Sequence, residues 1–364
     1  MYSDAQASGV LIVDLDALAR NYAALRRAAA PADCGAVVKA NAYGLGLSPV
    51  ARRLLREGCR NFFVATLAEG LELRELAPRA RIFVLEGVVA GAEPELAGAT
   101  LVPVLNSLEQ VERWSEAGGP AALHLDTGMT RLGLSAADVA TLARDAKRLR
   151  NIEIECVMTH LACADEPEHS RNADQLAAFD RLRSVWPQAK TSIGNSAGAF
   201  LSEAHRGDLV RAGIALYGGN PFIAEPSPVE EVVALKARIL QVRTLEEPAT
   251  IGYGATYAAE PPARIAVVGI GYADGYPRSL GNSGIASVGG VRVPVVGRVS
   301  MDLACLDVSA VPAGRVREGM FVDLIGGGIG LDEVAAAAGT ISYEILTRFG
   351  ARLKREYRGE VGEV

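Results

Sequence analysis

Short apolar runs and stretches rich in Ala, Leu and Arg alternate through the first part of the chain. From residue 10 to about 220, each β-branched or aromatic run is followed by a segment whose apolar positions recur at helical spacing. This two-beat pattern predicts parallel strands joined by crossover helices. The runs fitting the strand role are 36–38, 62–65, 81–85, 101–105, 121–125, 152–159, 190–193 and 209–214. Eight strand-and-helix units of this length predict an α/β fold of the (β/α)8 TIM-like barrel type, with a doubly wound open sheet as the alternative.

The texture changes after Pro228. Strand-like pieces such as 232–242, 265–270 and 291–296 are punctuated by Gly and Pro, which predicts a mainly antiparallel β domain. A helical stretch, 333–338, ends at Gly339, a residue suited to closing a helix. The glycines at 326–330 read as a turn, since the Lys-Ser/Thr context of a nucleotide loop is missing. Two units are expected: a barrel over 10–228 and a β domain over 229–364.

Composition narrows the function classes. At 49% hydrophobic residues the 364-residue chain can bury a large core. A net charge of −6, with basic residues scattered instead of forming one stripe, argues against nucleic acid as a partner. The five cysteines form no C-x-x-C pair and read as reduced and mostly buried. No export signal and no membrane-length apolar run is visible, so a cytoplasmic protein is expected. No His/Cys/Asp/Glu cluster has zinc-like spacing, His169 and His205 are weak candidates, and no metal is expected.

In a barrel of this kind the loops that follow the strands build the active face. Lys39 follows the first run in Ala-Val-Val-Lys-Ala-Asn-Ala-Tyr-Gly-Leu-Gly (36–46), where partial burial would lower its pKa and permit imine formation. A lysine at a strand end can equally well snorkel to water. Arg131, Asn195 and Ser196 also fall just after runs, His160 closes the run 152–159, and Arg211 with Gly213 closes the run 209–214. The loops 194–198 and 211–218 hold small residues and Ser196, which let backbone N–H groups approach a phosphate.

Taken in order, segments 36–46, 124–133, 159–165, 194–196, 211–218, 252–257, 271–277 and 297–302 resemble the alanine racemase family over nearly the whole chain. The resemblance implies pyridoxal 5'-phosphate held as an imine on Lys39, and Tyr253 as the second base on the opposite face of the substrate. It implies that His160 links that tyrosine to Arg211, and that Arg211 faces the pyridine nitrogen. An arginine there leaves the nitrogen unprotonated and weakens the ring as an electron sink, which favours simple proton return. Tyr43, Asn195, Ser196, Gly213 and Ile214 would hold the cofactor; Arg131, Met301, Tyr272 and Asp302 would line the substrate site. Alanine is the expected small-molecule substrate, for cell-wall precursor supply or catabolism. A head-to-tail homodimer with shared sites is expected.

Two departures stand out. Where many family members carry a carbamylated lysine supporting the arginine matched by Arg131, this chain has His124. Either His124 supports Arg131 through another hydrogen bond or an anion does so. A tyrosine that borders the cofactor phosphate elsewhere falls, in this register, at Ala351. A racemase of serine or another amino acid, and a non-catalytic carrier of the cofactor, are the competing readings.

Overall fold

The computed structural model describes residues 6–360. Strand β1 (Gly9–Asp14) leads into a helix, Leu15–Ala29, whose N-terminus is capped by the Asp14 carboxylate accepting from the amides of Asp16 and Ala17. Leu15, Leu18, Tyr22, Leu25 and Ala29 recur at helical spacing on its buried side. Strands β2 (Asp33–Val37), β3 (Asn61–Val64), β4 (Arg81–Val84), β5 (Val102–Leu105), β6 (Gly119–His124), β7 (Ile152–Met158), β8 (Lys190–Ser192) and β9 (Leu209–Ala212) then alternate with helices.

These eight strands are parallel and run β8-β7-β6-β5-β4-β3-β2-β9. The pairing of β2 with β9 brings the first and last strands together, so the barrel wins over the open sheet. Closure between β8 and β9 is looser. There the Ser192 hydroxyl donates to Leu209 O at 2.6 Å and the Asp208 amide to Thr191 O at 2.8 Å. Phe62, Phe63, Ile82, Val84 and Leu105 are buried, as parallel strands covered on both faces require.

The second unit is built on β10 (Val233–Leu245), β11 (Ala249–Ile251), β12 (Tyr257–Ala259), β13 (Ala263–Val268), β14 (Ile285–Val288), β15 (Val291–Val296), β16 (Ala304–Asp307), β17 (Phe321–Ile325) and β18 (Lys354–Arg358). The order β10-β13-β16-β15-β14-β17 returns to β10, giving an antiparallel barrel-like sheet. A register shift at Ile239/Gln241 bends the long β10 so that both of its halves find partners. The glycine turn at 326–330 precedes the helix Leu331–Ala337, and Gly339 follows with φ 70°.

The first strand departs from the expected boundary. β1 lies antiparallel to β10 and parallel to β18, so residues 9–14 belong to the second sheet although the expected barrel unit began at residue 10. A strand settles where its edge is satisfied, and the edge free for β1 is supplied from more than two hundred residues away. No described helix is long and apolar enough to cross a membrane.

Candidate active site

A cavity of 720 Å³ opens at the carboxyl ends of the eight parallel strands. Lys39, Tyr43, His124, Arg131, His160, Asn195, Ser196, Arg211, Gly213 and Ile214 all line it.

The chain reaches Lys39 through an unusual turn. Ala40, Asn41, Ala42 and Tyr43 have φ between 52° and 55°, four consecutive left-handed residues without a glycine. L-residues there crowd Cβ against the carbonyl, at roughly 1–2 kcal/mol each. The turn is held by Ala42 N–H to Val38 O (2.8 Å), Gly44 N–H to Ala40 O (2.8 Å), and the Asn41 side-chain oxygen accepting from the Leu47 amide (2.7 Å). It points the lysine into the cavity, where burial first, and then the Arg131 guanidinium, lower the amine below its ordinary value; Glu69 opposes them. Lys39 is thus half-buried in the cavity wall.

Arg211 is 6% exposed and makes donor contacts to Ser192 O (2.9 Å), Ser192 Oγ (2.7 Å), Thr159 O (2.7 Å) and Ile193 O (3.2 Å). Burial pulls it down to about 10, so it stays a cation near neutrality. A guanidinium only donates, so His160 Nδ1, 3.1 Å away, must accept. Burial, followed by Arg211, Arg131, His124 and Lys39, holds His160 well below the usual histidine range. The ring is therefore neutral with its proton on Nε2, which leaves one donor for another group.

His124 carries the opposite tautomer. The Asn106 amide nitrogen donates to Leu85 O (3.1 Å) and Val104 O (2.8 Å), which turns its oxygen toward His124 Nδ1 at 2.8 Å. That nitrogen must donate, and Nε2 is left as an acceptor. Burial, with Arg211 and Arg131 adding to it and Asp126 opposing, lowers His124 to about 4. His124 and Arg131 line the same cavity, and the nearby guanidinium is one of the charges that keep the ring neutral.

At the far end of the cavity Ser196 Oγ accepts from the amides of Gly213 (2.8 Å) and Ala215 (3.3 Å), so its own proton is free to point elsewhere. Tyr43 stacks on Tyr217 with ring centres 4.6 Å apart. Burial raises the Tyr43 phenol above its usual value, which keeps it a neutral donor. Ala351 is exposed on a turn and outside the cavity lining, while Tyr343, on the helix Ser342–Thr347, lines the cavity with its ring 6.0 Å from Tyr43. Tyr343 is 40% exposed, and its partial enclosure at the cavity raises the phenol above its usual value. The helix is only six residues long, too short for its period to mark Tyr343 as the inward-facing aromatic.

Tyr253, Tyr272, Met301 and Asp302 do not line this cavity. They gather on the second unit: the Tyr272 amide donates to Ser300 O and that of Ala273 to Met301 O, while Gly252 and Gly254, flanking Tyr253, abut Arg298. All are exposed, Tyr253 at 72% and Met301 at 53%. Arg352 fixes the cluster from below through Asp274 (2.7 Å) and Asp302 (2.8 Å).

A parallel eight-stranded barrel with a lysine-bearing cavity at its strand ends, followed by an antiparallel β barrel, defines a two-unit barrel protein of the enzyme type. Sequence profiles of the alanine racemase N-terminal domain and C-terminal domain match residues 13–221 and 232–357. An alanine racemase of Rhodospirillum rubrum is 49% identical, covering 97% of each chain. A catabolic alanine racemase of Agrobacterium fabrum is 48% identical over 96% of this chain and 92% of its own. The crystal structure of alanine racemase from Bartonella henselae, with covalently bound pyridoxal phosphate, superposes with a TM-score of 0.93 at 38% identity, covering 97% of this chain and 100% of that one. The chain belongs to the alanine racemase family.

Proposed function

We propose that this protein interconverts L- and D-alanine with pyridoxal 5'-phosphate held on Lys39. The observation that carries the reading is the depressed amine of Lys39 in one cavity with the donor-only Arg211 and the Ser196–Gly213 cradle. The residues fit the cofactor. A Cβ on Gly213 would stand 2.6 Å from the Tyr43 hydroxyl, so backbone and phenol converge where only glycine fits, the close approach a phosphate site needs. Ser196 and Tyr43 would donate to the phosphate, with Asn195, Gly213 and Ile214 framing it. When bound, the cofactor supplies an electron-withdrawing ring that acidifies the substrate's α-hydrogen.

The chain's own groups divide the proton work. Lys39, with its lowered amine, exchanges a proton with Cα on one face. Arg211, a cation that keeps its own protons, would donate a hydrogen bond to the ring nitrogen without protonating it, and so would limit how much charge the ring takes up. On the opposite face we assign Tyr253 of the partner subunit in a head-to-tail homodimer, because on its own chain Tyr253 lies exposed and outside the cavity. The Nε2 proton of His160 is the donor that would stabilise that phenolate. Arg131 would hold the substrate carboxylate, with Met301, Tyr272 and Asp302 of the partner subunit closing the pocket. We place the reaction in the cytoplasm, where cell-wall precursors and amino-acid catabolism both draw on alanine.

The test is loss of optical rotation from L-alanine by the purified protein, compared with L-serine and L-lysine. Turnover strongest on alanine supports the reading; a strong preference for either alternative refutes it. Lys39→Ala should abolish both turnover and the visible absorption of bound cofactor.

A further inference from the structure

Glu69 sits in the first turn of the helix Leu67–Leu76, where it completes a capping box with Thr66. That duty occupies one carboxylate oxygen: Oε2 accepts from the amides of Ala65 (2.7 Å) and Thr66 (3.4 Å), while Thr66 Oγ1 accepts from the Glu69 amide (3.3 Å). The other oxygen leaves the helix. Oε1 accepts from the Ala40 amide at 2.6 Å, the peptide bond directly after Lys39 and the first of the four left-handed residues. One carboxylate therefore ties the end of β3 to the turn that aims the lysine.

A left-handed run without glycine needs outside support, since its local conformational energy favours relaxation. The Ala42 amide is served by Val38 O, the Gly44 amide beyond the run by Ala40 O, and the Leu47 amide by the Asn41 side chain. The Ala40 amide, nearest to Lys39, is served by Glu69. We infer that Glu69 is a positioning residue for Lys39: its carboxylate pins the peptide that follows the lysine and sets the direction and charge state of the amine. The inference rests on Lys39 being the residue that captures pyridoxal 5'-phosphate. The negative charge of Glu69 also opposes the lowering of the Lys39 amine by burial and Arg131, so the carboxylate acts on both geometry and protonation.

Two variants separate positioning from capping. Glu69→Gln cannot present acceptors to both sides, because one arm of the amide meets a backbone N–H with another N–H. Thr66→Ala removes the cap hydroxyl and leaves the Glu69 bridge in place. Each full-length chain is stripped of cofactor, its Lys39 amine titrated by NMR after 13C-reductive methylation, and the unmethylated chain retitrated with pyridoxal 5'-phosphate by visible absorption. In Glu69→Gln the Lys39 midpoint should fall and covalent capture should weaken by about tenfold or more. Thr66→Ala should lose thermal stability and keep both readouts. An unmoved Lys39 midpoint, capture within about twofold of the parent, or an equal loss in Thr66→Ala would overturn the inference. If the unaltered chain itself captures no cofactor, the reading of Lys39 falls first.

Discussion

Ala40 is a position where glycine should improve on alanine. Its backbone stands at φ 53°, ψ 48°, its side chain is exposed, and the same residue type in an ordinary helix would sit on the other side of the Ramachandran plot. Replacing it by glycine removes a Cβ–carbonyl clash of roughly 1–2 kcal/mol, at almost no loss of packing. Against this, glycine adds freedom to the unfolded chain, which costs about 0.4–1 kcal/mol. The balance favours Ala40→Gly by about 0.5–1 kcal/mol. Ala24, half-buried within Leu15–Ala29, provides the contrast: glycine there should cost about 1 kcal/mol. Denaturant melts of the two variants beside the parent, at one protein concentration, measure the difference. A destabilised Ala40→Gly would mean that the turn after Lys39 is not left-handed in solution, or that its strain is relieved elsewhere.

Shared active sites predict complementation. Lys39→Ala and Tyr253→Phe should each be nearly inactive, yet equal mixing with subunit exchange should restore about a quarter of the parent rate, because half the dimers are mixed and each has one intact site; no recovery refutes the assignment of Tyr253 to a partner. His124 stays neutral in the folded protein down to about 4, while the unfolded ring takes a proton near 6.5, so the unfolded state binds more protons between those values. Stability should fall as pH drops through that window, by about 3 kcal/mol from this group, with His160 adding in the same direction. Denaturant melts across the window should show a shallower fall in His124→Gln, and an unchanged slope refutes the argument. Ser196→Ala removes the hydroxyl that collects the Gly213 and Ala215 amides. Cofactor retention on dialysis should drop about tenfold while Lys39 still captures it; full retention would remove Ser196 from the phosphate site.

What was legible in the sequence was local. Most barrel strands announce themselves by a short apolar run, and Lys39, Ser196 and Arg211 are conspicuous because they fall within or just beyond such runs. What was hidden depends on partners remote in sequence. β1 reads like any strand preceding a helix, and only the edges offered by β10 and β18 place it in the second sheet. Asn106 reads as a loop polar residue, and its role appears once its amide is spent on Leu85 and Val104. Glu69 forms one half of a capping box with Thr66, and nothing in that motif tells where its second oxygen points.

The electrostatics of the cavity follow from one imbalance. Lys39, Arg131 and Arg211 face it, whereas its lining carboxylates are committed elsewhere: Glu86 accepts from the Leu67 amide at 3.0 Å and Glu344 pairs with Arg348 at 2.9 Å. Such a cavity favours an anionic ligand, which suits a phosphate and a substrate carboxylate. The same cations, with burial, also suppress protonation of His160 and His124. Had the His160 ring been charged, Arg211 would have lost its acceptor at Nδ1, and a charged His124 would add a further cation to a cavity that already holds three. A field that gathers anions thus also keeps both rings neutral, and their hydrogen-bond partners then leave one histidine with a proton to offer and the other with a lone pair. Replacing His124 by a charged base would alter substrate recognition and cofactor recognition together, because both are governed by the same surplus of positive charge.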